Sequence, residues 1–253
     1  SQLYEQFAAL EDPGFWQTAY MNFYRAWFEG GRWMQYFEGL GVTILVTIIA
    51  LLIGVVLGVL VAVVRTGHDQ QRKGHHNPIL AVLNMVCKVY VTVIRGTPMM
   101  VQLLIMGFVI FKSSRNHSMV GALALGINSG AYVAEIIRGG LMSLDPGQME
   151  AGRSLGLGYL PTMTFIVVPQ AFKAILPALG NEFITLLKDT SLVATITVHE
   201  IFQTAQAINA VKFQPLLLYI EAAFVYLIFS TVLTQIQGML EKKLGKHLVD
   251  TRV

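Results

Sequence analysis

Residues 39–64 read GLGVTILVTIIALLIGVVLGVLVAVV and contain no charged side chain. A helix crosses the hydrocarbon core of a bilayer with about 20 consecutive apolar residues, so this run spans a membrane with length to spare. It is also apolar all round, unlike the one-sided helix of a soluble protein. The rest of the chain agrees: of 253 residues, 54% are hydrophobic and 13% charged, whereas soluble domains carry about 25% charged residues. The expected fold class is an all-α polytopic membrane protein. A net charge of +3, with cations flanking apolar runs rather than forming a stripe, excludes a nucleic-acid binder. Cys87 is the one cysteine. No intrachain disulfide can form, the redox compartment is not encoded, and the residue reads as a small core side chain.

Further apolar runs cover residues 79–111, 120–141, 165–197 and 215–240. The first is interrupted by Arg95, Gly96, Thr97 and Pro98, the third by Pro169, Pro177 and Gly180. Proline lacks an amide donor and kinks a helix, so each long run reads as one bent or broken crossing. Broken helices survive in a bilayer where protein buries them or they line a cavity, which makes these two segments the pathway candidates. Five crossings result. Arg65, Arg72, Lys73, Arg138, Arg153, Lys242, Lys243, Lys246 and Arg252 then share one side, and Arg25, Arg32, Lys112, Arg115 and Lys212 the other. The bias of Lys and Arg toward the cytoplasm puts the N-terminus out and the C-terminus in.

Three parts follow. Residues 1–38 carry the acids Glu5, Glu11 and Asp12 and a dense set of aromatics from Phe15 to Phe37. They are not a signal peptide, and aromatic side chains with polar handles favour the headgroup layer. Residues 39–241 form the transmembrane domain, with a cytoplasmic loop at about 142–163. Residues 242–253 form a cytoplasmic tail.

That loop contains GQMEAGRS, residues 147–154, which approaches a phosphate-binding P-loop. Arg153 stands where the motif needs lysine, and no buried strand precedes it, so the nucleotide reading fails. The stretch reads instead as a short amphipathic helix. Asp145 is placed to cap it, Pro146 suits its first position, Gln148 completes a capping box and Glu150 adds negative charge near its start. Leu155, Leu157, Tyr159 and Leu160 lie at its end, broken by Gly156 and Gly158, an arrangement suited to docking on a partner.

Glu150-Ala151-Gly152, three residues, Gly156, nine residues, then Ile166-x-Val168-Pro169 resembles the EAA loop of ABC importer permeases, with Gly152 for the second alanine and Val168 for leucine. YVTVIRGTPMMVQ (residues 90–102), GAYVAEIIRGGL (130–141), GQME (147–150) and NEFITLLKDTSL (181–192) are similar to the polar amino acid uptake branch of that family. The resemblance implies the fold of a type I ABC importer permease in a bacterial inner membrane. It also implies a coupling helix, containing Gly147, Glu150, Ala151, Gly152 and Gly156, that seats in a groove of a separate ATPase dimer. That dimer would bind ATP and Mg, leaving this chain without cofactor, catalytic residues or metal. A second permease subunit, identical or similar, and an extracytoplasmic amino acid binding protein complete the implied assembly.

Ionisable groups at the bilayer centre cost at least about 2.5 kcal/mol on insertion scales and so face a cavity or a partner. Glu182 and Asp189 are seven positions apart, about 20 degrees out of register on a helix, so they share a face, with Lys188 pointing away. Two carboxylates on a cavity wall attract an ammonium or a cationic side chain. Thr190, Ser191 and backbone near the break are placed to hydrogen-bond a carboxylate. In similar importers this helix holds substrate. A basic amino acid (arginine, lysine or histidine) is favoured over glutamine or another neutral one; the alternative role for Asp189 is a structural pair with a neighbouring lysine or arginine.

Other features carry less. Gly54-x3-Gly58 suits close helix packing. His68, His75 and His76 lack ligand spacing, Glu135 and Arg138 suit a pair along one helix, and His199-Glu200 lacks the second histidine of a zinc protease. A secondary transporter would show an internal repeat of broken helices, which is not evident, and a membrane hydrolase would need a nucleophile and base beside Glu182 and Asp189.

Overall fold

A computed structural model describes residues 2–71 and 77–249. The predicted cationic loop residues Arg72, Lys73, His75 and His76, and Arg252 of the tail, lie outside the described residues. Among those described, every regular element is helical. In chain order they are α1 (Gln2–Ala8), α2 (Phe15–Trp27), α3 (Arg32–Asp69), α4 (Pro78–Gly96), α5 (Met99–Ile105), a π-helical turn (Met106–Ile110), α6 (His117–Met142), α7 (Gly147–Ser154), α8 (Tyr159–Thr162), a second π turn (Met163–Val167), α9 (Val168–Asp189), a 3-10 segment (Thr190–Ile196), α10 (Ile201–Lys212) and α11 (Pro215–Val249). Five stretches among them are long and apolar enough to cross a membrane.

The first span starts earlier than its apolar run. α3 runs unbroken from Arg32 past Gly39, because residues 32–38 include no helix breaker, so they are turns of the spanning helix rather than part of a separate segment. Gly30 and Gly31, at φ 68° and 71°, reverse the chain in front of it. α2 folds back there, stacking Trp27 on Tyr36 at 4.8 Å, with Glu29 paired to Lys212 at 2.6 Å and Gln214 donating to Asn22 at 2.9 Å. The N-terminal aromatics are thus tied to the corner between α10 and α11. At the other end of the chain α11 continues as helix through the predicted tail to Val249.

α6 is the central element, and among the described residues it is the one span with more than half of its apolar window buried. It packs along α3 through small residues. A methyl group on Gly54 would sit 2.8 Å from Ser129 Oγ, and one on Gly58 would sit 2.5 Å from Val133 Cγ1. The two backbones approach closely because glycine leaves nothing between them. This is the packing role expected of Gly54-x3-Gly58. The core of Val46, Ala50, Leu103, Ala124, Leu125, Leu186 and Val193 gathers around that seam. Cys87 lies half-buried against a separate cluster of Val61, Val91, Ala131 and Ala134.

Glu135 and Arg138 do not pair with each other. Glu135 bonds Arg65 of α3, and Arg138 lies 3.8 Å from Asp69 at the end of the same helix. The i,i+3 spacing that suggested a local pair instead aims both side chains at the adjacent helix. Glu200 is wholly buried. It caps α10 by accepting from the Phe202 and Gln203 amides at 2.8 and 2.6 Å, with the Tyr226 hydroxyl as a third donor. Burial pushes its carboxyl up from the ordinary value while those three donors pull it down.

Candidate functional site

The break predicted at Arg95–Pro98 is present: α4 ends at Gly96, Thr97 is extended, and α5 starts after Pro98. Backbone carbonyls freed by a broken helix need donors, and Gln102 supplies them. Its Nε2 donates to Ile94 O and Thr97 Oγ1, both at 2.8 Å. Its Oε1 accepts from Asn128 Nδ2 of α6 at 3.0 Å. The next residue of α6, Ser129, donates its hydroxyl to Glu182 Oε1 of α9 at 2.6 Å. One turn on, the Tyr132 ring carries the Arg95 guanidinium 5.0 Å from its centroid, a cation–π distance. A single turn of α6 therefore joins the α4–α5 break to α9, which runs on as helix through Pro169, Pro177 and Gly180 rather than breaking there as expected. Gln102, Asn128, Ser129 and Tyr132 were not singled out in the sequence, where the only signal is polar residues inside an otherwise apolar helix.

Glu182 and Asp189 are both half-buried on α9. Lys188 is exposed, and among the described residues no ion pair holds Asp189. The hydroxyls that follow are committed elsewhere: Thr190 donates to Leu187 O at 2.6 Å and Ser191 to Lys188 O at 2.8 Å. Each retains lone pairs to accept with, but its one proton is spent inside the helix. Arg95, over the Tyr132 ring, is a cation at the α4–α5 break able to donate to an anionic group.

The 3-10 segment ends at Thr197, at φ 64°. A β-branched residue in the left-handed region is an outlier. Its hydroxyl meets His117 Nδ1 at the start of α6 at 2.7 Å.

At the opposite end of the bundle, Asp145 Oδ1 accepts from the Gly147 amide at 2.8 Å, with Pro146 in helical geometry between them, so Asp145 caps α7 as expected. Gln148 does not complete the capping box. Its Oε1 accepts from Gln170 Nε2 of α9 at 3.0 Å, because the partner across the loop is in reach and the cap amide is not needed. Glu150 and Ala151 are exposed, whereas Gly152 is buried. A methyl group on Gly152 would come 2.5 Å from Thr162 Cγ2, which accounts for glycine where the family pattern has alanine. Gly156 sits at φ 85°. The Leu157 amide reaches back to Gly152 O at 3.1 Å and the Gly156 amide to Arg153 O at 3.0 Å, the Schellman pattern that ends a helix on glycine. Leu155 and Leu160 then stand 82% and 72% exposed. A cleft of about 570 Å³ opens beside α7, lined by Asp69, Arg138, Glu150 and Arg153 among others.

The model of the binding-protein-dependent transport system inner membrane component matches residues 79–246. The L-cystine transport system permease protein TcyB of Bacillus subtilis is 41% identical over 169 residues, covering 66% of this chain and 72% of the relative. The glutamine transport system permease protein GlnP of Escherichia coli K12 is 39% identical over 167 residues, covering 64% and 76%. A crystal structure of an amino acid ABC transporter with histidines superposes with a TM-score of 0.74 at 36% identity, over 83% of this chain and 94% of that one. The chain therefore belongs to the binding-protein-dependent transport system inner membrane components, and its place in that family is among the amino acid ABC transporter permeases.

Proposed function

We propose that this permease forms the membrane pathway of an ATP-driven importer of basic amino acids. The observation that carries the reading is the pair Glu182 and Asp189 on one face of one helix, both half-buried and without an ion-pair partner among the described residues. Two carboxylates removed from water favour a ligand that returns positive charge. Arginine, lysine or histidine brings two cationic groups against its one carboxylate, and Arg95 is the cation available for that carboxylate. The relatives named for cystine and glutamine support a second reading, in which the same pair receives only the ammonium of a neutral polar amino acid.

In this reading α7 is the coupling helix. Its exposed Glu150 and Ala151, the αL turn at Gly156 and the bare Leu155 and Leu160 form the face offered to a separate ATPase dimer, which binds ATP and Mg. Gly147 and Gly152 shape its inner side. A second permease, identical or similar, and an extracytoplasmic amino acid binding protein complete the transporter. The α7 end faces the cytoplasm and the α10 end faces out, with the N-terminus outside and the C-terminus inside.

The test is uptake by the complete transporter in proteoliposomes. Asp189→Asn and Glu182→Gln should each depress transport of the basic amino acid while the permease still co-purifies with its ATPase. If both variants take up every amino acid tested at the normal rate, the pair is structural and substrate choice resides in the binding protein.

A further inference from the structure

The coupling helix and the helix bearing the carboxylates meet at two glutamines to which the proposed function assigns no role. Gln148 and Gln170 are both half-buried and joined by the 3.0 Å amide bond. The other described packing of α7, Gly152 against Thr162 and Ile166, seats it on α8 and the second π turn, ahead of α9. Within that turn the Val168 amide reaches five residues back to Met163 O. A π turn inserts one residue, and at about 100 degrees per residue it resets the face presented by everything that follows. Contacts made before the turn therefore act on α9 only through that reset. The Gln148–Gln170 bond is made after it.

α9 is held again farther along. Gln237 of α11 donates to Pro177 O at 3.0 Å, at the point where proline weakens the helix. Glu182 is fixed to Ser129 at 2.6 Å. From Gln170 to Glu182 is twelve residues, about 18 Å of helix. Between these points α9 also packs on α6, where a methyl group on Gly140 would come 2.4 Å from Ile175 Cγ1, so the rod is pinned at Gln170, bears on α6 at Ile175 and is fixed again at Glu182.

We propose that Gln148 and Gln170 are positioning residues whose amide pair sets the rotation of α9 relative to the coupling helix, so that a displacement of α7 is delivered to Glu182 and Asp189. The proposal rests on the importer reading above. Neither glutamine touches substrate.

The experiment uses the complete transporter in proteoliposomes and reads amino acid moved per ATP hydrolysed. Gln148→Leu and Gln170→Leu should each lower that ratio by about fivefold, the worth of one buried neutral hydrogen bond, with the half-saturating substrate concentration unchanged. The double variant should be no worse than either single one. Gln148→Glu keeps an acceptor for the Gln170 amide, and Gln170→Glu offers one to the Gln148 amide once that amide turns over, so each should keep the normal ratio, whereas the two together set acceptor against acceptor and should behave like leucine. Additive losses, a normal ratio in either leucine variant, or failure of Gln148→Glu to rescue would overturn the proposal. If the unmodified transporter moves no amino acid, the importer reading fails and the pair is judged separately, by a double-mutant cycle on the thermal midpoint of the permease–ATPase complex. Non-additive midpoints sustain the link, and additive ones end it.

Discussion

Ser129 of α6 gives its only hydroxyl proton to Glu182 of α9 across 53 positions of sequence. A buried serine bonded to a half-buried carboxylate fixes where that carboxylate points. Ser129→Ala should therefore free Glu182 without removing its charge. Hydrogen bonds to charged groups are worth about 1.5 to 3 kcal/mol, so the half-saturating substrate concentration should rise by roughly tenfold or more, with normal assembly and basal ATP turnover. Uptake measured over a range of substrate concentrations checks this; an unchanged half-saturation would detach Ser129 from the site.

Gly156 tests backbone against bulk. No atom lies within 4 Å of the position a Cβ would take there, so a substitution meets no clash, only the cost of φ 85°. Asparagine tolerates that region and valine does not. Gly156→Val should leave the protein in the membrane but lose substrate-driven ATP turnover, and Gly156→Asn should retain most of it. Equal loss in both would mean that the ATPase needs the open space rather than the turn.

Thr197 holds a conformation worth about 1 to 3 kcal/mol of strain for a residue of its type. Thr197→Asn removes the β-branch while keeping a side chain able to meet His117, and should raise the thermal midpoint of the purified permease. His117→Ala should lower it. A fall in midpoint for Thr197→Asn would show that the turn is unstrained.

The three tryptophans probe the N-terminal segment. Trp16 is exposed on α2 and Trp33 on the first turn of α3, whereas Trp27 is stacked on Tyr36. Trp33 and Phe37 continue the exposed stripe of Leu45, Ile48, Leu52, Val56 and Val59 along α3. If that stripe faces lipid and its aromatic end marks the headgroup layer, lipids brominated near the headgroup should quench single-Trp variants retaining Trp16 or Trp33, and spare one retaining Trp27. Quenching of Trp16 by aqueous iodide alone would place the segment in water.

Much of this architecture is readable from the chain because its causes are local. A charge-free run makes a span, Pro98 marks where a helix breaks, and Asp145 with Pro146 starts α7 whatever surrounds it. What was illegible depends on neighbours. Glu135 spaced three from Arg138 looks like a pair until α3 brings Arg65 and Asp69 alongside. Gln148 looks like half of a capping box until Gln170 arrives from α9. Thr190 and Ser191 look like ligands until the 3-10 segment turns their protons inward. A one-dimensional pattern gives a polar group's identity but not which of several acceptors will be within 3 Å.

The seam between α3 and α6 has a mechanical consequence. Where Gly54 and Gly58 admit Ser129 and Val133, two backbones are meshed with no flexible side chains between them to absorb sliding. Such a joint acts as a stator. Two other parts are fastened to it by a polar bond beside their core packing, α9 through Glu182 and Leu186 and the α4–α5 break through Gln102 and Leu103. Both polar bonds start from adjacent residues of one turn, Asn128 and Ser129, so any shift of that turn reaches both segments at once.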